Sequence, residues 1–166
     1  TPAPPEYSGG IGESGEKLLK GMLQAGKTLL FMEESCNYAI SKFKMPVTNI
    51  IEENAKVVCP GSYVKVEVKN SELTAGMEKT AAIFFRETPT FETRLPKAAD
   101  ENRFTPLVFG ERNLLISGWL EGEAELVRKS LLVDYRKGKG RIILIGPDVI
   151  HRTHGDHAVV GSRIGH

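Results

Sequence analysis

The chain has 166 residues, 40% of them hydrophobic, which is enough for one domain that buries a sizeable core. Its 22 basic and 21 acidic residues nearly balance, so the composition excludes a chain built as a whole for nucleic acid, and no such partner is expected. No apolar run reaches the length of a membrane span, and two cysteines without close spacing are typical of reduced thiols in a cytoplasm-like compartment.

The first part of the chain predicts a helix, a strand and a second helix. Ser14 is expected to cap a helix that carries an apolar face and ends at Gly26. This face consists of Leu18, Leu19, Met22 and Leu23. The continuous apolar run Thr28–Met32 predicts a strand covered on both faces, and a tight turn then leads into a helix that ends near Phe43.

The rest of the chain predicts mainly strands. Val64, Val66 and Val68 alternate with charged residues, which is the period of a half-exposed strand. Further strands are expected at residues 81–85, 107–109, 114–116, 131–135 and 141–145, and a short helix at 123–129. The last two strands flank Gly138-Lys139-Gly140, which favours a tight hairpin turn, since a phosphate-binding loop would need a helix directly after its lysine. Strands interleaved with helices, plus this antiparallel pair, predict an α/β layer fold with a mixed sheet.

Four segments spread along the chain carry a resemblance to a known family: residues 4–12, residues 29–36, Gly118-Trp119-Leu120 and residues 138–146. Together they are similar to the C-terminal, class I glutamine amidotransferase-like domain of zinc carboxypeptidase-type proteins, without the peptidase domain itself. This resemblance implies a three-layer flavodoxin-like sandwich with a mixed, mostly parallel sheet. Such a domain has further strand and helix units before the position of Pro4, so the sandwich is expected to be incomplete at its amino-terminal side.

The resemblance also implies domain boundaries and an oligomeric state. Residues 1–155 are expected to form the amidotransferase-like domain, and residues 156–166 an atypical tail, because the family continues into an apolar helix at that point. An incomplete sheet has unpaired edges and an uncovered face. We therefore expect a homo-oligomer, in which elements can be exchanged between copies.

All four histidines of the chain lie at or beyond position 151. His151, His154, Asp156 and His157 are of the residue types that bind zinc and similar divalent metals. With three protein ligands, such an ion keeps one coordination position for a water molecule, and it lowers the pKa of that water towards neutrality. The resulting hydroxide would hydrolyse ester or phosphoester bonds in a small-molecule substrate. Asp156 would ligate the metal, orient a histidine or act as the base. The alternative is a solvated tail whose histidines bind nothing.

Glu33, Glu34 and Cys36 follow the first predicted strand, where open α/β sheets tend to bind ligands. The resemblance implies a nucleophilic cysteine in a strand-to-helix elbow at this place, with His151 or His154 as its base. Cys36 lies one or two residues late for that elbow and lacks the glycines it needs, so an inactive elbow is the alternative. One of the two glutamates would bind metal together with the tail histidines, or else both would cap the following helix.

Two functional classes follow from these patterns. In one, the chain is a metal-dependent hydrolase that acts through its histidine cluster and the glutamates beside it. In the other, it is a noncatalytic accessory or oligomerisation module with no activity of its own.

Overall fold

The computed structural model describes residues 11–53 and 56–147, and its elements are numbered here along that part of the chain. Helix α1 (Gly12–Gln24) is followed by strand β1 (Thr28–Met32) and helix α2 (Ser35–Lys42). The elements that follow are β2 (Val47–Asn49), α3 (Ile50–Glu53), β3 (Ser62–Val68), a 3₁₀-helix (Glu72–Thr74), β4 (Thr80–Phe85), β5 (Phe91–Thr93), β6 (Glu101–Phe109), β7 (Leu115–Ser117), α4 (Glu123–Leu126), β8 (Ser130–Lys137) and β9 (Gly140–Ile145). Among the described residues, no helix is both long enough and apolar enough to cross a membrane.

The described strands form one sheet that is mostly antiparallel. Its main path runs β1-β9-β8-β6-β3-β4, with β7 added to β3, and with β2 joined to β8 through β5. Within this sheet, β1 and β9 are the one parallel pair, and every other pairing is antiparallel. The prediction of a flavodoxin-like sandwich with a mostly parallel sheet is therefore wrong.

The reason lies in how the strands are connected. A parallel pair requires a crossover of a dozen or more residues, usually through a helix. Of the described helices, only α1 and α2 are longer than four residues, and both pack beside β1. From β3 onwards the chain therefore returns through turns and short helices, which favours antiparallel neighbours. The alternating valines of β3 and the β8–β9 hairpin already carried this signal in the sequence.

Most predicted elements are confirmed, with differences at the first helix and the first strand. The strand Thr28–Met32, the helix that ends before Phe43 and the final hairpin lie where they were predicted. The first helix begins at Gly12, so Ser14 lies inside it and is not its cap. Strand β1 is not covered on both faces, since Leu29 and Phe31 are buried on one face whereas Leu30 on the other is 55% exposed.

Two clusters of buried side chains hold the sheet and its helices together. The first lies between α1, α2 and one face of β1, β8 and β9, and contains Leu23, Leu29, Phe31, Cys36, Ala39, Met45, Val47, Phe91, Val133, Tyr135, Ile142 and Leu144. In the second cluster, Ile143 and Ile145 of β9 pack together with Val64 of β3 and Ile83 of β4. Strands far apart along the path thus share one core, so the sheet curls back over itself.

Candidate functional site

A cavity of about 750 Å³ lies at the carboxyl ends of β1, β4 and β9. Glu33 and Glu34 line it after β1, Arg86 and Glu87 after β4, and Gly146 after β9. Because β1 and β4 are the two ends of the sheet's main path, both edges of the curled sheet reach this cavity. We refer to it as the carboxyl-end cavity.

The turn between β1 and α2 is sharp and fixes the position of Glu33. This residue has a φ of 50°, a left-handed conformation that costs a residue with a side chain about 1–2 kcal/mol. Its amide donates to the carbonyl of Ile145 at 3.0 Å, and the Ser35 hydroxyl bonds both backbone groups of Met32, at 2.9 and 2.6 Å. Glu34 occupies the N-cap position of α2, but its side chain makes no capping hydrogen bond. Glu34 thus places its negative charge at the start of α2, as the capping alternative predicts, but it adds no hydrogen bond there.

Other polar side chains of the cavity wall bond one another. Asn37 donates to Glu52 Oε1 at 2.6 Å, and Asn49 donates to Asn37 Oδ1 at 3.0 Å. The side-chain oxygen of Asn49 accepts from the amides of Ile51 and Thr90, at 3.2 Å each. This network ties α2 to the chain around β2, so these amides serve mainly to hold the wall in place.

No metal centre is found in the part of the chain that the structure describes. Within residues 11–53 and 56–147, no group of three His, Cys, Asp or Glu side chains is arranged to hold a metal ion. The prediction of a metal-binding protein is therefore wrong for these residues. His151, His154, Asp156 and His157 lie outside the described residues, so zinc binding and hydrolysis at that cluster stay predictions. Gly146 lines the cavity, and the chain from there to His151 spans at most about 18 Å.

Cys36 lies in the core beneath the cavity wall. Its side chain is fully buried, and its Sγ lies 3.5 Å from the carbonyl oxygens of both Phe31 and Ile145. Burial raises the pKa of this thiol to about 12, and the negative charge of Glu33 acts in the same direction. The thiolate needed for nucleophilic attack is therefore a minor species near neutral pH. A catalytic role of Cys36 stays a prediction that these surroundings disfavour.

A second surface, which the sequence analysis did not identify as functional, surrounds Trp119. Its exposed side chains are Tyr63 (38%), Leu115 (38%), Ile116 (53%) and Trp119 (60%), and we refer to these four residues as the Trp119 surface. Pairing of β7 with β3 sets Tyr63 beside Ser117 and Val64 beside Leu115, so the four residues belong to one region of the sheet. Exposed apolar side chains that form a continuous patch mark interaction sites more often than lone ones do.

The backbone holds Trp119 at this exposed position. The Ser62 hydroxyl, which is buried, accepts from the Trp119 amide and donates to the Trp119 carbonyl, both at 2.7 Å. Gly118 has a φ of 109°, and a Cβ there would lie 3.0 Å from Ser62 Cα, so the close approach requires glycine. Ser62 and Trp119 are 57 residues apart, so no local sequence pattern reveals this arrangement.

Comparisons with protein-family models and with curated proteins give no match for this chain. The expected membership of an amidotransferase-like domain family is therefore wrong, and the antiparallel sheet disagrees with it as well. A solved structure described as mmIFT52 N-terminal domain is similar at 17% identity and a TM-score of 0.49, over 81% of this chain and 59% of that one. At these values, neither the fold nor the function of that domain is transferred to this chain.

Proposed function

We propose that this chain is a noncatalytic module that associates with a second copy of itself through the Trp119 surface. The observation that supports this is an exposed tryptophan, whose backbone is held by the buried Ser62, beside an uncharged edge strand. Tryptophan and tyrosine are enriched at the centres of interfaces because they bury a large area and lose little conformational freedom. A backbone that is already ordered before binding also lowers the entropic cost of association.

Strand β7 adds backbone hydrogen-bonding groups to this surface. Among the described strands it pairs only with β3, which leaves the amides and carbonyls of its other edge available. Edge strands are usually protected by lysine, proline or a bulge; Leu115–Ser117 contains neither a charge nor a proline, and its one irregularity is the register shift opposite Tyr63 and Val64. The edge is therefore suited to pairing with another strand.

Two copies of β7 are complementary to each other about a two-fold axis. In antiparallel pairing centred on Ile116, that residue lies opposite its own counterpart, and Leu115 lies opposite Ser117 of the second copy. These residue pairs bring no charged side chains together. The net charge of the chain is only +1, so two copies do not repel each other strongly.

Light scattering coupled to gel filtration at micromolar concentrations tests the proposal, with twice the mass of one chain as the expected result. Ile116→Lys would place two ammonium groups opposite each other, so we expect the dimer to weaken by at least about tenfold, or ~1.4 kcal/mol. Leu95→Lys is the matched control, since Leu95 is 79% exposed and lies outside the Trp119 surface. A monomeric wild-type chain, or equal loss of dimer in both variants, would contradict the proposal.

A further inference from the structure

A second cavity, of about 710 Å³, lies at the end of the sheet opposite to the carboxyl-end cavity. It is bounded by the last turn of α1, the end of α2 and the turn between β8 and β9. Five lysines line it: Lys20, Lys42, Lys44, Lys137 and Lys139. We refer to it as the lysine cavity.

Three of these lysines have carboxylate partners. Glu16 accepts a hydrogen bond from Lys20 at 2.7 Å and lies 3.3 Å from Lys42, and the bond from Lys20 is the main reason that the pKa of Glu16 is lowered. Lys137 donates to Glu101 at 2.8 Å, which lowers the pKa of Glu101 and raises that of Lys137. The positive charge of these three lysines is thus partly balanced.

Lys44 and Lys139 form no ion pair within the part of the chain that the structure describes. Asp100 is the one carboxylate among the described lining residues. With Glu16 and Glu101 included, five ammonium groups therefore face three carboxylates. The cavity keeps a positive excess even though the chain as a whole is almost neutral.

The cavity also has a defined shape. Leu23, which is buried, and Phe43, which is half-buried, add apolar surface to the cavity lining. The Gly138 amide donates to the carbonyl of Asp100 at 2.8 Å, which anchors the β8–β9 turn and hence its lysines. Lys44 has a φ of 49°, a conformation usually left to glycine at the end of a helix, and such outliers are more frequent at functional sites.

We infer that the lysine cavity binds a small molecule that carries two or more neighbouring phosphate groups. Each phosphate carries up to two negative charges and several acceptor oxygens, which suits ammonium groups that approach from different elements. A volume of about 710 Å³ lies within the usual range for small-ligand sites. A nucleic-acid surface would instead need a basic stripe along one face of the protein, and this cluster is confined to one cavity.

Titration calorimetry with pyrophosphate at low salt tests the inference, and we expect one saturable site per chain. The double variant Lys44→Ala/Lys139→Ala should weaken binding at least about tenfold, because it removes the two lysines without carboxylate partners. The control is Lys65→Ala/Lys69→Ala, which removes the same charge from two exposed residues of the β3 region. Absence of binding, or equal weakening in both variants, would overturn the inference.

A variant that gains affinity separates binding from folding. Glu101→Gln removes the carboxylate that holds Lys137, so we expect pyrophosphate to bind a few times more tightly, a result that a misfolded chain cannot give. Unchanged or weaker binding by a folded Glu101→Gln variant would count against the site.

Vesicles distinguish the two sources of such phosphates. Cosedimentation with phosphatidylcholine vesicles that contain phosphatidylinositol bisphosphate, lost in Lys44→Ala/Lys139→Ala, would identify a lipid headgroup. Binding of pyrophosphate without cosedimentation would identify a soluble ligand. The inference does not depend on self-association, because none of the lysines belongs to the Trp119 surface.

Discussion

The ion pair between Asp134 and Arg141 is the least exposed charge pair of the described structure. The Nε and Nη2 atoms of Arg141 each donate to one carboxylate oxygen of Asp134, both at 2.8 Å. Only 8% of the Asp134 side chain and 18% of the Arg141 side chain are exposed. Asp134 lies opposite Ile143 in the β8–β9 register, which makes Arg141 its diagonal neighbour on the same face of the sheet.

Asp134→Leu is therefore expected to destabilise the fold through the charge it leaves behind. The Arg141 pKa is raised chiefly by its bond to Asp134, and a guanidinium stays protonated without that bond, so the variant retains a partly buried cation. Its remaining partner, Glu72 at 3.1 Å, is 78% exposed and compensates little. Removing one partner of a buried pair costs about 3–5 kcal/mol, and the partial exposure of Arg141 favours the lower end, about 3 kcal/mol.

Thermal and urea unfolding followed by circular dichroism measure this loss. In a chain of this size, 1 kcal/mol corresponds to about 2–4 °C, so Tm should fall by about 6–12 °C. The double variant Asp134→Leu/Arg141→Met removes both charges and should recover most of the loss. An Asp134→Leu variant with the wild-type Tm, or a double variant no more stable than the single one, would refute the reasoning.

Three further predictions concern packing, thiol reactivity and metal. Gly140→Ala should destabilise the fold by about 1–3 kcal/mol, because its Cβ would overlap the backbone of α1. Gly21→Ala, with open space around it, should instead stabilise α1 by about 0.5–1 kcal/mol. Similar unfolding midpoints for the two variants would show that Gly140 and α1 are not in tight contact. Cys36 should react with a thiol reagent only after unfolding in urea, and rapid labelling of this residue in a native Cys59→Ser variant would disprove its burial. If His154 and His157 bind zinc, the double variant His154→Ala/His157→Ala should contain no zinc by elemental analysis after dialysis. It should also lose any ester hydrolysis that a chelator abolishes in the wild type. Unchanged zinc content in the variant would end that hypothesis.

The sequence predicted local structure well where neighbouring residues determine it. The alternation of Val64, Val66 and Val68 and the glycines of the final hairpin each identified their element correctly. The order of strands in the sheet depends instead on contacts between distant residues, which no local pattern contains. The resemblance was misleading because it rested on short segments such as Gly118-Trp119-Leu120, which here belongs to a turn held by Ser62.

The candidate sites also differ in how much of each can be predicted from the sequence alone. Glu33 and Glu34 stand out in the sequence because they directly follow an apolar strand, and both line the carboxyl-end cavity. The lysine cavity collects its charges from three separate parts of the chain, so the near-zero net charge concealed it. The Trp119 surface likewise depends on the pairing of β7 with β3 and could not be read from either strand alone.

Strand β1 is the first described strand and β9 the last, yet β1 pairs with no other described strand than β9. On the ribosome, Leu29 and Phe31 therefore lack this neighbour until Ile145 has left the exit tunnel, and apolar segments exposed for that long attract chaperones or aggregate. Pairing of strands so distant in sequence also slows the final folding step. Nascent chains that stop before Gly140 should accordingly be degraded or bound by chaperones, because this edge of the sheet closes only after β9 has been synthesised.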